Sequence, residues 1–414
     1  MTTATDLQPD LDPAELREQM VRKLIADGHI TTDAVAAAFR AVPRHRFMLD
    51  GVELAIAYDA GQSPVTKRNA AGQALSSVSA PWLQAVMIEQ ARIRPGARVL
   101  ELGSGGYNAA LMAEIVGAAG RVVSVDIDGE IIDRASRRLD ETGYGRIRVV
   151  QADGNQPIPG EAIFDVVLVT VGAWDIPPAW VEQLAPDGIL VVPLVMGGVT
   201  RSIAFRRDGH RLRSLSAEVC GFVAMQGEGQ HVPTEITLAD PQGRTTLSFD
   251  GPPPAGLNLT PGLLADTPVE VWSGETIGNM IDWSDMYLWF ACYMPGLCHV
   301  TAPDDSPLRT PGKFFFPKGN ASRDSLAMFV IRNLDDGSGC EWGARGYGHH
   351  AEQAADEMVG HIQRWNRTAG PRRKPTYTYE RGALSANPAP GTAVLVKRHG
   401  SLLVHWPTDT SGSA

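Results

Sequence analysis

The strongest chemical signal in the chain is Val99-Leu-Glu-Leu-Gly-Ser-Gly-Gly-Tyr-Asn-Ala-Ala110, a β-type run that passes through a glycine turn into a helical run. Glycines at 103, 105 and 106 let backbone amides approach a ligand where a Cβ would clash. A phosphate-binding loop is the competing reading, but the turn has neither a Gly-Lys-Ser/Thr ending nor a basic residue. Glu101, a carboxylate beside the glycines, suits instead a ligand carrying positive charge or free hydroxyl and amine groups. Asp126 closes the next β-type run, where an acid accepts hydrogen bonds from ribose hydroxyls. Asp153-Gly154 closes the third, where a polar group can meet an adenine edge. Each acid alone reads equally well as a helix cap or a surface carboxylate. Three at three successive strand ends are better explained by one ligand.

Such residues need a scaffold that brings strand ends to one rim. Short β-type runs at 98–102, 122–126, 147–152, 164–170 and 189–193 are apolar on both faces, with room for a helix between most of them. That alternation predicts an α/β fold with a doubly wound, mostly parallel sheet. Upstream, Leu16, Met20, Leu24 and Ile25 share one helical face that Gly28 ends. Val35, Ala38 and Phe39 mark a second helix from Thr32, stopping at Pro43. Downstream, Asp208-Gly209 between two alternating runs is a hairpin signal, and Gly227 to Pro233 reads as a linker. The chain thus divides into an N-terminal helical segment (1–80), the doubly wound domain (81–226) and a C-terminal α+β extension (227–414). The extension holds six of the nine tryptophans. It also has an amphipathic helix from Ala351 to Trp365, whose apolar face is Ala351, Ala354, Ala355, Met358, Val359, Ile362 and Trp365, and a terminal hairpin over 392–406.

Composition removes several function classes. The 414 residues carry a net charge of −10, which argues against a phosphate-tracking nucleic-acid binder, and 43% hydrophobic residues argue against a disordered chain. Ile189 to Val199, the longest apolar run, is too short to span a bilayer, and Met1 to Asp10 lacks the pattern of a secretory signal. Four cysteines are too few for a disulfide framework and fit a reducing compartment. A soluble, cytoplasmic protein without a membrane partner is expected. Cys292 and Cys298, and the adjacent His349 and His350, make no zinc-ligand spacing, so no metal is expected.

The order Glu-x-Gly-x-Gly, then Asp, then Asp-Gly resembles class I S-adenosylmethionine-dependent methyltransferases. A nicotinamide dehydrogenase is the rival, but the spacing departs from Gly-x-Gly-x-x-Gly and Glu101 would repel a pyrophosphate. Leu24-Ile-Ala-Asp-Gly28, Ala41-Val-Pro-Arg-His-Arg-Phe47, Ala57-Tyr58-Asp59 and Ser77-Val-Ser-Ala-Pro81 precede the glycine turn. With Asp165-Val-Val-Leu-Val-Thr170 and Gly188-Ile-Leu-Val-Val-Pro193 after it, they narrow the resemblance to protein-L-isoaspartate O-methyltransferases, over about residues 15 to 226. The resemblance implies methyl transfer from S-adenosylmethionine to the carboxylate of an aspartyl or isoaspartyl residue. It places Glu101, Gly103, Gly105, Asp126, Asp153 and Gly154 on the cofactor and Ser79 at the acceptor carboxylate. Without the resemblance, Ser79 before Ala-Pro would read as a helix N-cap. The turn Gly103-Ser-Gly-Gly-Tyr107 is one residue shorter than the family's usual Gly-x-Gly-x-Gly-Tyr.

The extension separates three readings. Extended relatives occur with ribosomally made peptides such as lanthipeptides and graspetides, and the chain is similar to that subgroup. This implies methylation of an aspartate in a cyclised precursor, leading through an aspartimide to isoaspartate or a retained imide. The alternative is an isoaspartyl repair enzyme, and a third reading is a non-catalytic binding module. Trp283, Tyr287, Phe290 and Met294, on one helical face after a possible cap at Ser284, read first as an ordinary core helix and second as peptide contacts. Arg364, Arg367, Arg372, Arg373 and Lys374 could meet an acidic peptide or form a solvated charge cluster.

Overall fold

In the computed structural model, residues 12–407 are described apart from 162, 239–243, 261, 266, 279–282, 310–314, 370–373 and 385. Asp12 caps α1 (Pro13–Ala26) by accepting the Ala14 amide at 2.8 Å, and Pro13 suits the first turn. Thr32 caps α2 (Asp33–Ala41) through the Val35 amide. In α1 the buried face is Met20, Val21 and Leu24, while Ile25, which the spacing groups with them, faces solvent. α3 (Leu54–Tyr58), an antiparallel ribbon of β1 (Val65–Arg68) and β2 (Ala74–Ser77), and α4 (Pro81–Ala91) follow.

The alternating region then runs β3 (Arg98–Leu102), α5 (Tyr107–Val116), β4 (Arg121–Asp126), α6 (Gly129–Glu141), β5 (Arg148–Gln151), β6 (Phe164–Val169), α7 (Pro178–Glu182) and β7 (Leu184–Met196). β8 (Val199–Asp208) and β9 (Arg211–Val219) add an antiparallel hairpin. Spatial order is β9-β8-β7-β6-β3-β4-β5, with β7, β6, β3, β4 and β5 parallel. This is the doubly wound, mostly parallel α/β sheet expected from the Val- and Leu-rich runs. Val99, Leu100, Val123, Val125 and Val167 to Val169 are buried on its two faces. Leu102 sits opposite both Val125 and Val169, so the carboxyl ends of three strands are level. The ladder extends one step further: Gly103 N donates to Val125 O at 2.8 Å, Thr170 N to Leu102 O at 2.7 Å, and Ala152 N to Asp126 O at 3.0 Å. The strand order turns back across β3, and in open α/β sheets the ligand crevice lies outside such a point.

The chain divides into two compact units, one of residues 1–194, 200–231 and 398–400, the other of 195–199, 232–397 and 401–414. The second has a seven-stranded sheet in the order β10-β11-β13-β14-β15-β16-β12, every adjacent pair antiparallel. Its strands are β10 (Thr234–Thr237), β11 (Thr246–Phe249), β12 (Val269–Gly278), β13 (Leu297–Thr301), β14 (Lys318–Ser322), β15 (Ser325–Asn333) and β16 (Gly339–Gly348). α8 (Ser284–Tyr293), α9 (Ala351–Thr368), β17 (Thr376–Arg381), β18 (Thr392–Val396) and β19 (Gly400–His405) complete the elements, β18 and β19 pairing as the expected hairpin. All seven residues of the expected α9 face are buried. Gly346 lets that helix start against β16: a Cβ there would meet Ala351 O at 1.9 Å.

In the extension one expectation changes, and the packing of the 283–294 stripe supports the core-helix account. Ser284 is the first residue of α8, and the cap is Trp283, without a side-chain capping bond. Phe290 and Met294 are buried, and the Trp283 and Tyr287 rings pack on Phe329, so this stripe is largely core. Of the basic cluster, Arg364, Arg367 and Lys374 are exposed, while Arg372 and Arg373 lie outside the described residues. Among the described residues no helix is long and apolar enough to cross a membrane, and no group of three or more His, Cys, Asp or Glu could hold a metal ion.

Candidate active site

At the carboxyl rim of the sheet, a cleft in the first unit brings together Ser79, Glu101, Gly103, Gly105 and Asp126, with Gln84, Tyr107, Thr170 and Val223. The glycine turn shapes its floor. Gly103 has φ +99°, and a Cβ there would lie 2.5 Å from Thr170 Oγ1, whose hydroxyl donates to Gly103 O at 2.7 Å. Gly106 has φ +83° and backs onto the Phe47 ring. Gly105 needs no unusual backbone; its Cα faces open space, which is the surface a ligand can approach.

Two acids of the cleft differ in environment. Glu101 is fully buried; Oε1 accepts from Asn108 Nδ2 at 2.9 Å and Oε2 from Ser124 Oγ at 2.5 Å. Burial outweighs these bonds and pushes its carboxyl up to about 7. Asp126 is partly exposed, accepting the Ser104 amide at 3.0 Å on Oδ2 and the Asp128 amide at 2.9 Å on Oδ1. Burial raises it above the ordinary carboxylate value. A carboxylate has about four acceptor positions, so those two amides leave capacity for ribose hydroxyls. The open glycine face and this carboxylate offer amides and acceptor oxygens to a polar ligand, at a cleft whose volume is about 40 Å³.

Ser79 stands between the β1–β2 ribbon and α4. It is not the helix cap: Ala80 occupies that position, without a side-chain capping bond. Among the described residues the Ser79 hydroxyl has no hydrogen-bond partner, and the residue is half-buried. A second, open pocket of about 360 Å³ shares Ser77, Ser79 and Val223 with the cleft and is otherwise walled by residues such as Ser63, Val65, Trp82, Leu83 and Phe222. Ser79 therefore lines both the cleft and the open pocket. Reading the sequence missed Gln84, Val223 and Phe222, which carry no motif signal, and gave no site role to Thr170, which closes the quoted run from Asp165.

Asp153 and Gly154 lie outside the lining of this cleft. β5 ends at Gln151, two residues before Asp153, whose carboxylate accepts the Asn155 amide at 2.9 Å and the Glu228 amide at 2.9 Å. Gly154 O accepts from Trp180 Nε1 at 2.6 Å. The turn Gly227–Gly229 that meets Asp153 is held in turn by Arg398, which donates to Glu228 O at 2.8 Å. A larger pocket, about 720 Å³, lies at the amino ends of β3 and β6 and contains none of the residues assigned to cofactor or acceptor.

The family model described as Protein-L-isoaspartate(D-aspartate) O-methyltransferase matches residues 15–230. A protein-L-isoaspartate O-methyltransferase of Ignicoccus hospitalis is 38% identical over 181 residues, covering 44% of this chain and 82% of the relative. One from Pyrobaculum neutrophilum is 34% identical over 215 residues, covering 51% of this chain and 99% of its own. A solved protein-L-isoaspartate O-methyltransferase aligns with a TM-score of 0.50 and 20% identity over 89% of this chain and 98% of its own. At that identity the likeness is one of fold, and its span reaches beyond residue 230 into the second unit.

Proposed function

The chain belongs to the protein-L-isoaspartate O-methyltransferase family, and on that premise we propose that it methylates the free carboxylate of isoaspartyl residues in proteins and peptides. It is a carboxyl O-methyltransferase whose cofactor is S-adenosylmethionine. The position of Ser79, shared by the glycine-turn cleft and the open pocket, carries the substrate side of the reading.

When bound, S-adenosylmethionine supplies an electrophilic methyl group. Gly103 and Gly105 would underlie its amino-acid end, with Glu101 behind them, and Asp126 would take ribose hydroxyls. Asp153 and Gly154 would border the adenine side, Asp153 with the acceptor capacity its two amides leave. Ser79 would donate its unpartnered hydroxyl to the acceptor carboxylate and fix the oxygen that attacks. A carboxylate is already ionised at neutral pH, so no general base is required. Val65, Trp82 and Phe222 would strip water from the acceptor, leaving alignment and desolvation as the main sources of rate.

A second reading is favoured by one observation: the second unit has its own core of Leu247, Phe249, Val300, Leu326 and Tyr347, outside the span that the family model matches. There, residues 227–414 recognise a ribosomal precursor peptide, and the acceptor is a normal aspartate that proceeds through an aspartimide. Intact-mass spectrometry separates the two. An isoaspartyl peptide, its aspartyl counterpart and a cyclised precursor are each incubated with enzyme and S-adenosylmethionine. Gain of one methyl on the isoaspartyl peptide supports repair; modification of the precursor alone supports tailoring. Ser79→Ala is expected to bind the cofactor normally while turnover falls by roughly 100- to 1000-fold, the range for losing one positioned hydrogen-bond donor. Equal losses in both would remove Ser79 from the acceptor side.

A further inference from the structure

Arg44 is fully buried, and among the described residues none of its hydrogen-bond partners is a carboxylate. Nε donates to Ala57 O at 2.8 Å and Nη1 to Gln84 Oε1 at 2.7 Å. Nη2 donates to Ser79 O at 2.8 Å, with Val78 O at 3.3 Å. The guanidinium carbon stands 5.0 Å from the centre of the Tyr107 ring. Burial pulls its pKa down to about 10, so it stays charged at neutral pH. Taking a cation out of water onto neutral dipoles alone is costly, and an anion arriving nearby relieves that cost. Val78, Ser79, Gln84 and Tyr107 all line the cleft, so the charge lies one side-chain layer behind the acceptor wall. The ionisable carboxyls in that lining, Glu101 and Asp126, give an incoming carboxylate no attraction.

We infer that Arg44 is the positioning and selecting residue for the acceptor: it clamps the Val78–Ser79 carbonyls that set the Ser79 hydroxyl, and its unbalanced charge favours a carboxylate over the matching amide. This rests on the isoaspartyl reading above. It also explains how a site without an exposed cation in its lining can bind an anionic group.

The test compares an isoaspartyl peptide with its isoasparaginyl amide for binding to the enzyme loaded with S-adenosylhomocysteine, alongside KM and kcat for methylation. A unit charge one layer away corresponds to roughly tenfold or more in affinity. Arg44→Met should lose that preference and raise KM while keeping S-adenosylhomocysteine affinity, and Arg44→Lys should restore part of it. Gln84→Glu places a carboxylate against the same guanidinium and should abolish the preference with packing retained; Gln84→Met, which adds no charge, should keep it. If Arg44→Met does not fold, Gln84→Glu decides. Preference for the carboxylate surviving in the folded variants, or absent from the parent enzyme while it still methylates the isoaspartyl peptide, overturns the assignment and leaves the isoaspartyl reading standing. A parent enzyme that neither binds nor methylates the isoaspartyl peptide overturns both.

Discussion

Glu101→Gln is expected to stabilise the protein in alkaline but not in acid solution. The Glu101 carboxyl is moved from its ordinary 4.5 to about 7, chiefly by burial. At about 1.4 kcal/mol for each tenfold change in protonation, keeping this group charged costs the folded state about 3 kcal/mol. A carboxyl raised on folding contributes stability that is complete below its unfolded pKa and is lost as pH rises through its folded pKa. The window therefore runs from 4.5 to about 7, with the full cost present by about pH 8. Glutamine removes the charge with little change of shape. Its amide can serve Ser124 Oγ, whose proton then turns to Ser104 Oγ, 2.9 Å away, while its oxygen keeps the Asn108 bond. Denaturant unfolding of parent and variant at pH 5 and pH 8 should show a gain of about 2 to 3 kcal/mol at pH 8 and less than about 1 kcal/mol at pH 5. A difference independent of pH would mean that Glu101 is not the titrating group, and a variant less stable at pH 8 would mean that its hydrogen bonds outweigh its burial.

Other perturbations probe the same rim and its support. Gly103→Ala forces a Cβ to within 2.5 Å of Thr170 Oγ1 at φ +99°. It should cost about 1–3 kcal/mol and most of the S-adenosylmethionine affinity, read by melting and calorimetry; normal binding would remove the turn from the cofactor site. Glu161, its side chain buried, collects Arg98 at 3.2 Å, Arg121 at 2.6 Å and Arg148 at 2.5 Å. Because those arginines are half-exposed, Glu161→Ala should cost only about 1–3 kcal/mol, less at high salt, and an unchanged cost in molar salt would argue for packing over charge. Asp153→Ala releases the Glu228 amide, so limited proteolysis should speed up across residues 226–231; an unchanged rate would show that other contacts hold this turn.

What the sequence makes legible is what local pattern encodes. Val122 to Asp126 and Phe164 to Val169 are strands because β-branched runs buried on both faces leave few alternatives, and the glycine turn is legible because only glycine accepts φ near +99° at residue 103. Partners drawn from distant segments leave no such trace. Arg44 and Arg46 stand in the same short motif, yet one is fully buried and the other exposed, because the carbonyls that bind Arg44 come from residues 57, 78 and 79. β16 was equally hidden: Gly339–Gly348 carries four glycines where strand propensity asks for branched side chains. Its glycines answer tertiary crowding, Gly343 against Trp272 and Gly346 against Ala351.

Arg398 to Gly400 belong to the first unit although they come after nearly all of the second. Arg398 holds the carbonyls of Glu228 and Gln230, and the amide and ring of His399 meet Asp175 Oδ2 at 2.8 and 2.7 Å. Domains ordinarily fold in the order in which the ribosome delivers them. Here three residues of the first unit, 398–400, are delivered only after residue 397. A chain ending between residues 232 and 397 keeps every motif of the first unit but lacks the Arg398 bonds to Glu228 O and Gln230 O and the His399 bonds to Asp175.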